Sequence, residues 1–531
     1  MAHEPPQGAE QVRAAEVIGA LCLATDLGMG FPFEHGLHCT LAATRLADRL
    51  GVGPATASQA YYACLLSHAG CTTDAHVTAE IFGGSLTTDL NPVLYGSQRD
   101  VLAGLMRALP EAERVAPVRA LQVVRGLPRL ARVQHSHFTA MCEVAEMLAD
   151  GVGLPSSIAG LLAHMTERWD GKGPLRRARH EEIPLPMRIV HVAVDATFQC
   201  WLGGVERAAR LAGKRAGGGL DPEVAACFAD DAEAILALDP EASAWDEVLA
   251  CEPEPRRTLE GEAIDRALSA MGGFADLISP YLSGHSAGVA ELAVAAARRC
   301  RLDATRATAL RRAALVHDLG RVAIGARTWQ KAGPLTVGEW EQVRLHPYQT
   351  ERVISRSPFL SALAPVAGAH HERLDGSGYH RGSSAAELAL PARLLAAADA
   401  FHAMCEPRPH RELVTPKRAA ENLGREASAG RLDPNAVTAV VEAAGERAPR
   451  LERPAGLTER EVEVLGMLAR GLQTKQVARG LGISVKTADS HIQHAYRKVG
   501  VSTRAAATLF AMEHGLMESG ELPIVRATPR S

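Results

Sequence analysis

An internal repeat constrains this chain more than any other feature, because blocks of its sequence recur in the same order. EHGLHCTLAATRLADRLGV (34–52) parallels GHSAGVAELAVAAARRCRL (284–302), which places His35 opposite His285 at an offset of 250 residues. The other matched pairs are 63–71 with 313–321, 166–173 with 371–378, and 183–198 with 388–403. The last two pairs align at an offset of 205. We interpret the pattern as an ancestral duplication whose first copy carries about 45 extra residues.

The composition favours helices, because aromatic residues make up only 4% of the chain and its common residues Ala, Leu and Arg lose little on entering a helix. Two stretches rich in Pro and charge, 238–262 and 446–458, are typical of linkers. They divide the chain into 1–250, 255–446 and 456–531. The sequence therefore predicts an all-α protein in which two tandem helical bundles precede a smaller C-terminal domain.

Charge and cysteine content narrow the class of protein further. The net charge of −4 argues against a surface coated in basic residues, so a nucleic-acid site must be a local patch. The ten cysteines form no CxxC pair, which is typical of reduced thiols in a cytosolic protein. No apolar run approaches the roughly 18–20 residues that a membrane span needs. We expect a cytoplasmic protein with no membrane partner.

The second copy carries residues of metal-ligand type on faces that helical periodicity predicts to be buried. His285, for example, is in phase with Val289, Leu292 and Ala293. His346 is the exception: it precedes Pro347, so we expect it in a loop just before a helix. The group comprises His285, His317, Asp318, His346, His370, His371 and Asp399. A single such residue is usually a hydrogen-bonded core residue, but burying seven polar groups without partners is costly. A pair of metal ions satisfies them together, and imidazole with carboxylate suits Fe, Mn or Zn.

Three motifs then carry a resemblance. HDLGR (317–321), HHERLDGSGYH (370–380) and ADAFHAM (398–404) resemble the HD-GYP subgroup of HD-domain phosphohydrolases. The resemblance implies that 255–446 is a helical HD-GYP-like domain that binds metal and hydrolyses cyclic di-GMP or a related cyclic dinucleotide. It also implies that 1–250 is a degenerate copy of the same domain.

Carried over to this sequence, the resemblance assigns roles to individual residues. Asp318 would bridge two divalent ions, most consistent with Fe or Mn, and would act in catalysis with Arg321, which replaces the usual Lys. The implied metal ligands are His285, His317, Asp318, His346, His370, His371 and Asp399. The implied substrate contacts are Arg321, Tyr379, Arg408 and Arg411.

Several positions depart from the family pattern around this set. His380 replaces the proline of the Gly-Tyr-Pro motif, and Tyr281 stands where members with a third metal carry Glu. His402 replaces an Asp, and the segment 408–411 reads RPHR rather than RPYR. All seven implied metal ligands are present, whereas several positions expected near the substrate differ from the family pattern. Two functions therefore stay open: a working phosphodiesterase, or a domain that only binds metal or ligand and senses it.

The first copy keeps little of the ligand set. The His-Asp pair becomes Ser67-His68, the adjacent histidines become Met165-Thr166, and Asp195 is shifted by one position. Only His35 is retained in register, and one ligand cannot hold a metal. We expect a degenerate domain without metal, leaving open a ligand sensor or a pairing surface. A separate site formed by His135, His137 and His164 is the less favoured alternative.

The C-terminal segment shows three helices with clear capping signals. Thr458 forms a capping box with Glu461, and Thr474 is predicted to cap a short helix. Ser484 is predicted to cap a third helix that has Val485 on its inward face and ends at Gly500. A short helix, a tight turn and a helix with polar and basic residues near its start have the geometry that enters a DNA major groove. The segment resembles the LuxR-type helix-turn-helix over about 60 residues.

This second resemblance implies a DNA-binding surface. Lys486, Thr487, Ser490 and His491 would face the bases of double-stranded DNA, while Lys498 and Arg504 would contact its backbone. The last helix usually supports dimerisation in that family. Together the sequence predicts a homodimeric transcriptional regulator whose partners are double-stranded DNA and a cyclic dinucleotide or other phosphorylated nucleotide.

Overall fold

The computed structural model describes residues 10–72, 94–97, 99–100, 135, 137–239, 242–447, 454–514 and 516. Over these residues the fold is all-α, which confirms the expectation from the sequence. The exceptions are two short antiparallel strands, β1 Gln11–Arg13 and β2 Thr258–Glu260, in which Val12 lies opposite Leu259. No helix in this described part is long and apolar enough to cross a membrane.

The helices before residue 283 mostly contain two to four turns. They are α1 Ala14–Met29, α2 His35–Arg49, α3 Pro54–Leu65, α4 137–151, α5 Ser156–Ala159, α6 Leu185–Gly203, α7 Val205–Arg215, α8 Pro222–Asp230, α9 Ala232–Leu236, α10 Ala244–Ala250 and α11 Glu262–Asp276.

The helices after residue 283 include the three of the C-terminal segment and one that follows them. They are α12 His285–Arg299, α13 Ala304–Val316, α14 Ala326–Trp329, α15 Val337–Arg344, α16 His346–Ile354, α17 Pro358–Ser361, α18 Ala364–Ala367, α19 Leu390–Cys405, α20 Pro416–Ser428, α21 Pro434–Ala443, α22 Glu459–Ala469, α23 Thr474–Gly480, α24 Val485–Val499 and α25 Arg504–Glu513.

The chain packs as two compact units that are not continuous in sequence. The first contains Met1–Ser283, Asp318–Glu339 and Arg352–Ala362, and its core forms where α2, α3 and α6 pack together. The second contains Gly284–His317, Trp340–Glu351 and Leu363–Ser531. In the second unit α12 packs against α13, α19 and α21.

Helices in the two copies begin at the offsets that the sequence repeat shows. Helices α2 and α12 both contain fifteen residues and begin at His35 and His285, 250 residues apart. Each follows a residue in the left-handed conformation, Glu34 at φ 75° and Gly284 at φ 80°. Helices α3 and α13 keep the offset of 250, and α6 and α19 keep that of 205. Both copies thus place a histidine at the first position of a buried helix.

A buried arginine–aspartate pair also occurs in each copy, although the sequence comparison did not identify it. Arg188 contacts Asp221 at 2.6 Å, and Arg393 contacts Asp433 at 2.9 Å. Each aspartate also accepts hydrogen bonds from the backbone N–H groups that begin α8 or α21. The pair therefore ties the long helix α6 or α19 to the capped end of a later helix.

Three local expectations differ from the structure. His346 is the first residue of α16 rather than part of a preceding loop, because Pro347 is tolerated in a first turn where no N–H partner is needed. Gln473, not Thr474, caps α23 and forms a capping box with Gln476. Val485 faces solvent, with 46% of its surface exposed, because it lies in the first turn of α24.

We expect Arg393→Ala to destabilise the second unit by about 3–5 kcal/mol, because it leaves the Asp433 carboxylate buried without its charged partner. Hydrogen exchange of the α19 and α21 amides in the full chain measures the loss. Arg431→Ala is the matched control, since Arg431 pairs with Glu426 at the surface and such pairs contribute about 1 kcal/mol or less. Equal effects of the two substitutions would contradict this role of Arg393.

Candidate metal centre and nucleic-acid interface

Six of the predicted metal ligands lie in the second unit, on elements far apart in sequence. His285 begins α12, His317 directly follows α13, and His346 begins α16. The adjacent His370 and His371 lie in the turn after α18, while Asp399 lies within α19. All of them are buried except His371, which is half-buried. Most of these side chains therefore lie at a helix end or in a turn, and only Asp399 lies inside a helix.

The ligand atoms form two groups. In the first, atoms of His285, His317 and Asp399 lie within 4.8 Å of one another. In the second, atoms of His346, His370 and His371 lie within the same distance, with 3.1 Å between the Nε2 atoms of His346 and His370. Each group offers the three or more ligand atoms that a divalent ion requires.

Asp399 lies between the two groups. Its Oδ1 is 3.2 Å from His285 Nε2 and 3.9 Å from His317 Nε2, and its Oδ2 is 3.5 Å from His371 Nδ1. One carboxylate therefore faces both groups, an arrangement suited to joining two ions. The sequence assigned bridging to Asp318 and gave no sign that Asp399 lies between the groups.

The electrostatics of the centre favour metal binding. Burial and the neighbouring His370 lower the pKa of His371 well below its usual value, so its ring is neutral and keeps a lone pair. Burial opposes ionisation of Asp399, but its contacts with His371 and His285 outweigh burial and hold its pKa well below the usual range. A neutral His371 beside an ionised Asp399 is the combination of protonation states that a metal site needs.

Asp318 and Arg321 belong to the first unit by their packing, although Asp318 follows His317 directly in the chain. The Asp318 carboxylate is fully buried, and its Oδ2 lies 2.8 Å from Arg321 Nη1. The Arg321 guanidinium lies 5.4 Å from the ring centroid of Trp329. The bridging and catalytic roles that the family resemblance implies for these two residues stay predictions.

The glycine-rich turn beside the adjacent histidines is held by a buried glutamate. Glu372 accepts hydrogen bonds from the backbone N–H of Arg381 at 3.1 Å and of Ser383 at 2.9 Å. A Cβ at Gly378 would lie 2.5 Å from Cα of Glu372, so the turn requires glycine at that position. Tyr379 packs on His371, with ring centroids 4.3 Å apart. The turn thereby positions an aromatic side chain directly against one of the predicted metal ligands.

Two residues near the centre carried no assigned role in the sequence. His402 and Glu406 form a third group of ligand type with His285. Glu406 also accepts a hydrogen bond from Arg408 at 2.7 Å. Burial raises the pKa of Glu406, but its hydrogen bonds with His285 and His402 outweigh burial and lower it to about 2. The spacing of Asp399, His402 and Glu406 at i, i+3 and i+7 is the helical periodicity that could have revealed them.

Aromatic rings surround His35 in the first unit. Its ring centroid lies 4.8 Å from that of Phe31, 5.8 Å from Phe198 and 6.2 Å from Trp201. Burial lowers the pKa of His35 to about 3 and that of His68 to about 4. Aromatic packing therefore takes the place of the polar contacts that His285 makes in the second unit.

Asp195, the shifted counterpart of Asp399, has a different partner. It forms a buried ion pair with Arg215 and also accepts a hydrogen bond from Gln199. His135, His137 and His164 occur in none of the metal-type groups found among the described residues. The contacts of Asp195 are those of a structural ion pair.

The C-terminal segment has the helix-turn-helix arrangement. Thr458 and Glu461 form the expected capping box at α22, and Ser484 caps α24 by accepting from the Thr487 N–H at 3.0 Å. Val464, Val477 and Ala488, one from each of α22, α23 and α24, lie in one core. Among the predicted DNA contacts at the start of α24, Lys486, Thr487 and Ser490 are exposed and His491 is half-buried.

The two predicted DNA-backbone contacts hold the fold of this domain together. Lys498 Nζ lies 2.6 Å from Oε2 of the buried Glu461 and 3.0 Å from the carbonyl oxygen of Gly456. Arg504 Nε donates to the carbonyl of Leu468 at 3.0 Å. Both side chains retain exposed surface, so their DNA contacts stay predictions.

Comparison with protein families agrees with this architecture. Residues 273–436 match the family model described as "HD domain". Residues 455–511 match the model described as "Bacterial regulatory proteins, luxR family". The chain therefore carries an HD domain followed by a C-terminal luxR-family domain, and the two resemblances drawn from the sequence are confirmed.

Among similar proteins, the 3'3'-cGAMP-specific phosphodiesterase 3 of Vibrio cholerae is 28% identical over 404 residues, covering 75% of this chain and 87% of that protein. A cyclic di-GMP phosphodiesterase of Pseudomonas aeruginosa is 35% identical over 167 residues, covering 31% of this chain and 40% of that protein. A crystal structure of a cyclic GMP-AMP specific phosphodiesterase from V. cholerae covers 82% of this chain and 98% of its own, at 24% identity and a TM-score of 0.55. The solved structure supports the fold.

We expect Lys498→Ala to loosen the C-terminal domain, because it leaves the Glu461 carboxylate buried without its ammonium partner at a cost of about 1–3 kcal/mol. Hydrogen exchange over 457–500 in the full chain should become faster. Lys486→Ala removes an exposed lysine of the same helix and should leave exchange unchanged. Unchanged exchange in the Lys498 variant would leave DNA binding as the main role of Lys498.

Proposed function

We propose that the HD domain is a metal-dependent phosphodiesterase that acts on a cyclic dinucleotide and that the C-terminal domain binds double-stranded DNA. The arrangement of two histidine groups around Asp399 is the observation that carries the enzymatic part. Divalent ions would accept lone pairs from several of these imidazoles at once, so metal binding would also stabilise the folded domain.

The donor set fits two divalent ions. Imidazole nitrogens and carboxylate oxygens suit Fe or Mn, and the described residues place no cysteine thiolate in either group. We propose that His285 and His317 would hold one ion and that His346, His370 and His371 would hold the other, with Asp399 placed to help hold either. Asp318 completes the set that the family resemblance implies.

The reaction adds water across one P–O bond and yields a phosphomonoester and a free hydroxyl group. Two divalent ions, when bound, supply Lewis acidity for this hydrolysis. The chain orients the centre through Glu372, which holds the glycine turn, and through Tyr379, which packs on His371. Arg321 is proposed to contact a phosphate through its positive charge. Its planar guanidinium stands where the family usually has the ammonium group of a lysine.

The substrate is proposed to be a cyclic dinucleotide because relatives that match this domain carry such activities in their names. One is specific for 3'3'-cGAMP and another is a cyclic di-GMP phosphodiesterase. Tyr379, Arg408 and Arg411 are the proposed substrate contacts in the second unit, and Arg321 is proposed to act with them. His380 replaces the family proline there, and it packs near Tyr348 with ring centroids 5.9 Å apart.

We further propose that substrate binding or turnover controls DNA binding by a homodimer. A luxR-family domain on the same chain as an HD domain supports this coupling. Exposed Lys486, Thr487 and Ser490 on α24, with His491 beside them, would meet base edges, whereas Lys498 and Arg504 would meet phosphates. The first copy of the repeat is proposed to sense a ligand or to pair with a second chain.

A role in sensing without turnover is the second candidate, and one observation favours it. Arg408 and Arg411, two of the three arginines proposed for the substrate, make contacts within the chain: the first with Glu406, and the second with the carbonyl oxygen of Ala403. A domain with these arginines already engaged would bind metal or nucleotide with little hydrolysis. Metal content and hydrolysis, measured on one preparation, separate the two functions.

We expect the purified chain to hold two divalent ions and to hydrolyse 3'3'-cGAMP or cyclic di-GMP. His317→Ala and His370→Ala each remove a ligand from one group, so metal content should fall and hydrolysis should drop by at least about 100-fold. Elemental analysis and product chromatography measure both quantities.

His35→Ala is the matched control, because His35 begins α2 as His285 begins α12 but lies among aromatic rings. It should leave metal content unchanged. Bound metal without hydrolysis of either dinucleotide would exclude the enzyme and favour the sensor. Absence of bound metal at saturating Fe²⁺ or Mn²⁺ would exclude both metal-dependent proposals.

We expect Lys486→Ala combined with His491→Ala to weaken sequence-specific DNA binding strongly. Each contact with a base edge contributes about 1–3 kcal/mol to discrimination, so affinity should fall by roughly 30-fold or more while folding is retained. Binding to genomic fragments selected by the wild-type protein, at fixed salt, measures the change. Lys417→Ala, an exposed lysine of α20 outside the DNA-binding domain, is the charge-matched control. Equal affinity of the double variant and wild type would contradict the assignment of α24.

A further inference from the structure

Three of the proposed ligand histidines are oriented in the same way. In each, the ring Nδ1–H donates to the backbone carbonyl three residues earlier, at 2.6 Å. The pairs are His317 with Ala314, His346 with Val343, and His370 with Ala367. The bond fixes the tautomer and turns Nε2 toward the ligand group, as outer partners of metal-binding histidines generally do.

His285 has a different outer partner. It is the first residue of α12 and follows Gly284, whose left-handed conformation turns the chain just before the ring. Glu406 takes the place of the carbonyl, because its Oε2 lies 3.0 Å from His285 Nδ1. The opposite ring nitrogen, Nε2, lies 3.2 Å from Asp399 Oδ1. The His285 ring is therefore oriented like the other three, with Nδ1 toward a hydrogen-bond acceptor and Nε2 toward the ligand group. Its acceptor is a side chain 121 residues away in the sequence.

Glu406 is itself held in place by its neighbours. Arg408 donates to the same carboxylate at 2.7 Å, and His402 Nδ1 lies 3.2 Å from its other oxygen. His402 lies directly against α12, where a Cβ on Gly288 would come within 2.0 Å of its Nε2. Glycine at this position therefore makes the space that the His402 ring occupies.

We propose that Glu406 is a positioning residue that holds His285 as the Nδ1–H tautomer and directs its Nε2 to the metal. This inference rests on the proposed metal centre. Asp399, His402 and Glu406 follow one another along a single face of α19 and its C-terminal end, so that one helix supplies both a ligand and the support of another ligand. Glu406 acts through His285 and has no contact with the reacting atoms.

Direct ligation by Glu406 is the competing arrangement, since His285, His402 and Glu406 have atoms within 4.8 Å of one another. A third ion there would need the Nδ1 lone pair of His285. The same nitrogen cannot both bind an ion and donate its hydrogen to Glu406. The hydrogen-bond separation of 3.0 Å and the alignment with the other three histidines favour positioning.

The test is a Mn²⁺ titration of the metal-stripped full chain, with affinity and stoichiometry read for each variant. Wild type should bind two equivalents. Glu406→Ala should still bind two, one of them about 10–100-fold more weakly, the usual loss when an outer partner of a ligand histidine is removed. Glu406→Gln keeps an oxygen that accepts the Nδ1–H bond and should restore most of that affinity.

Glu426→Ala is the control, because Glu426 is a carboxylate of the same unit paired with Arg431 at the surface. Thermal melting of the metal-stripped proteins shows whether each variant folds. If Glu406→Ala fails to fold, His402→Ala takes its place: it should bind two equivalents with a smaller loss of affinity, because it loosens Glu406 without removing it.

Four outcomes would overturn the inference. Two concern the affinity for Mn²⁺: wild-type affinity in both Glu406→Ala and His402→Ala, or equal weakening by Glu406→Gln and Glu406→Ala. Two concern the number of bound Mn²⁺ ions: three equivalents in wild type with two in Glu406→Ala, or loss of one equivalent in His402→Ala. The second outcome would show that negative charge, not the hydrogen bond, matters. Failure of wild type to bind Mn²⁺ at all would instead overturn the proposed metal centre.

Discussion

Burying imidazoles beside a carboxylate is the constraint on which the second unit depends. His285, His317, His346 and His370 are almost completely inaccessible to water, and a buried polar group without a partner costs several kcal/mol. The structure meets this demand from both sides of the rings. Backbone carbonyls or Glu406 accept from Nδ1, while the opposite nitrogen faces another ligand. A fold that buries so much polarity in one place is stabilised when metal binds, because binding and folding then share the same contacts.

The two copies of the repeat solve this problem in opposite ways. Both retain the helix that begins with a histidine and the arginine–aspartate pair. Both also retain a glutamate that accepts a hydrogen bond from a backbone N–H of the glycine turn, from Arg177 to Glu167 in the first copy and from Arg381 to Glu372 in the second. Where the second copy surrounds its histidine with carboxylates and imidazoles, the first surrounds His35 with Phe31, Phe198 and Trp201. Aromatic packing supplies burial energy without ligand atoms. The helical scaffold is thus compatible with either chemistry, and the polarity of a few side chains decides which one it carries.

Prediction from the sequence succeeded where the signals were local. Helical periodicity and capping residues gave the all-α fold, the start of α22 and α24, and the residue types of a metal centre. It was wrong for His346, which begins a helix, and for the cap of α23, since neighbouring residues compete closely for such positions. The domain boundaries and the bridging role of Asp318 stay predictions. Spacing alone could not show that Glu406 supports His285, or that Lys498 pairs with a buried Glu461.

The sequence by itself determined which residues could act: it fixed the ligand types, the duplicated scaffold and the luxR-type segment, because these depend on residue identity and short-range periodicity. Only the tertiary structure decided how they meet. Asp399 faces two histidine groups because α19 packs against α12 and brings its carboxylate between them. Glu406 reaches His285 across 121 residues for the same reason. Such contacts depend on how helices distant in the chain pack together, and the spacing of residues along the sequence does not show which helices become neighbours.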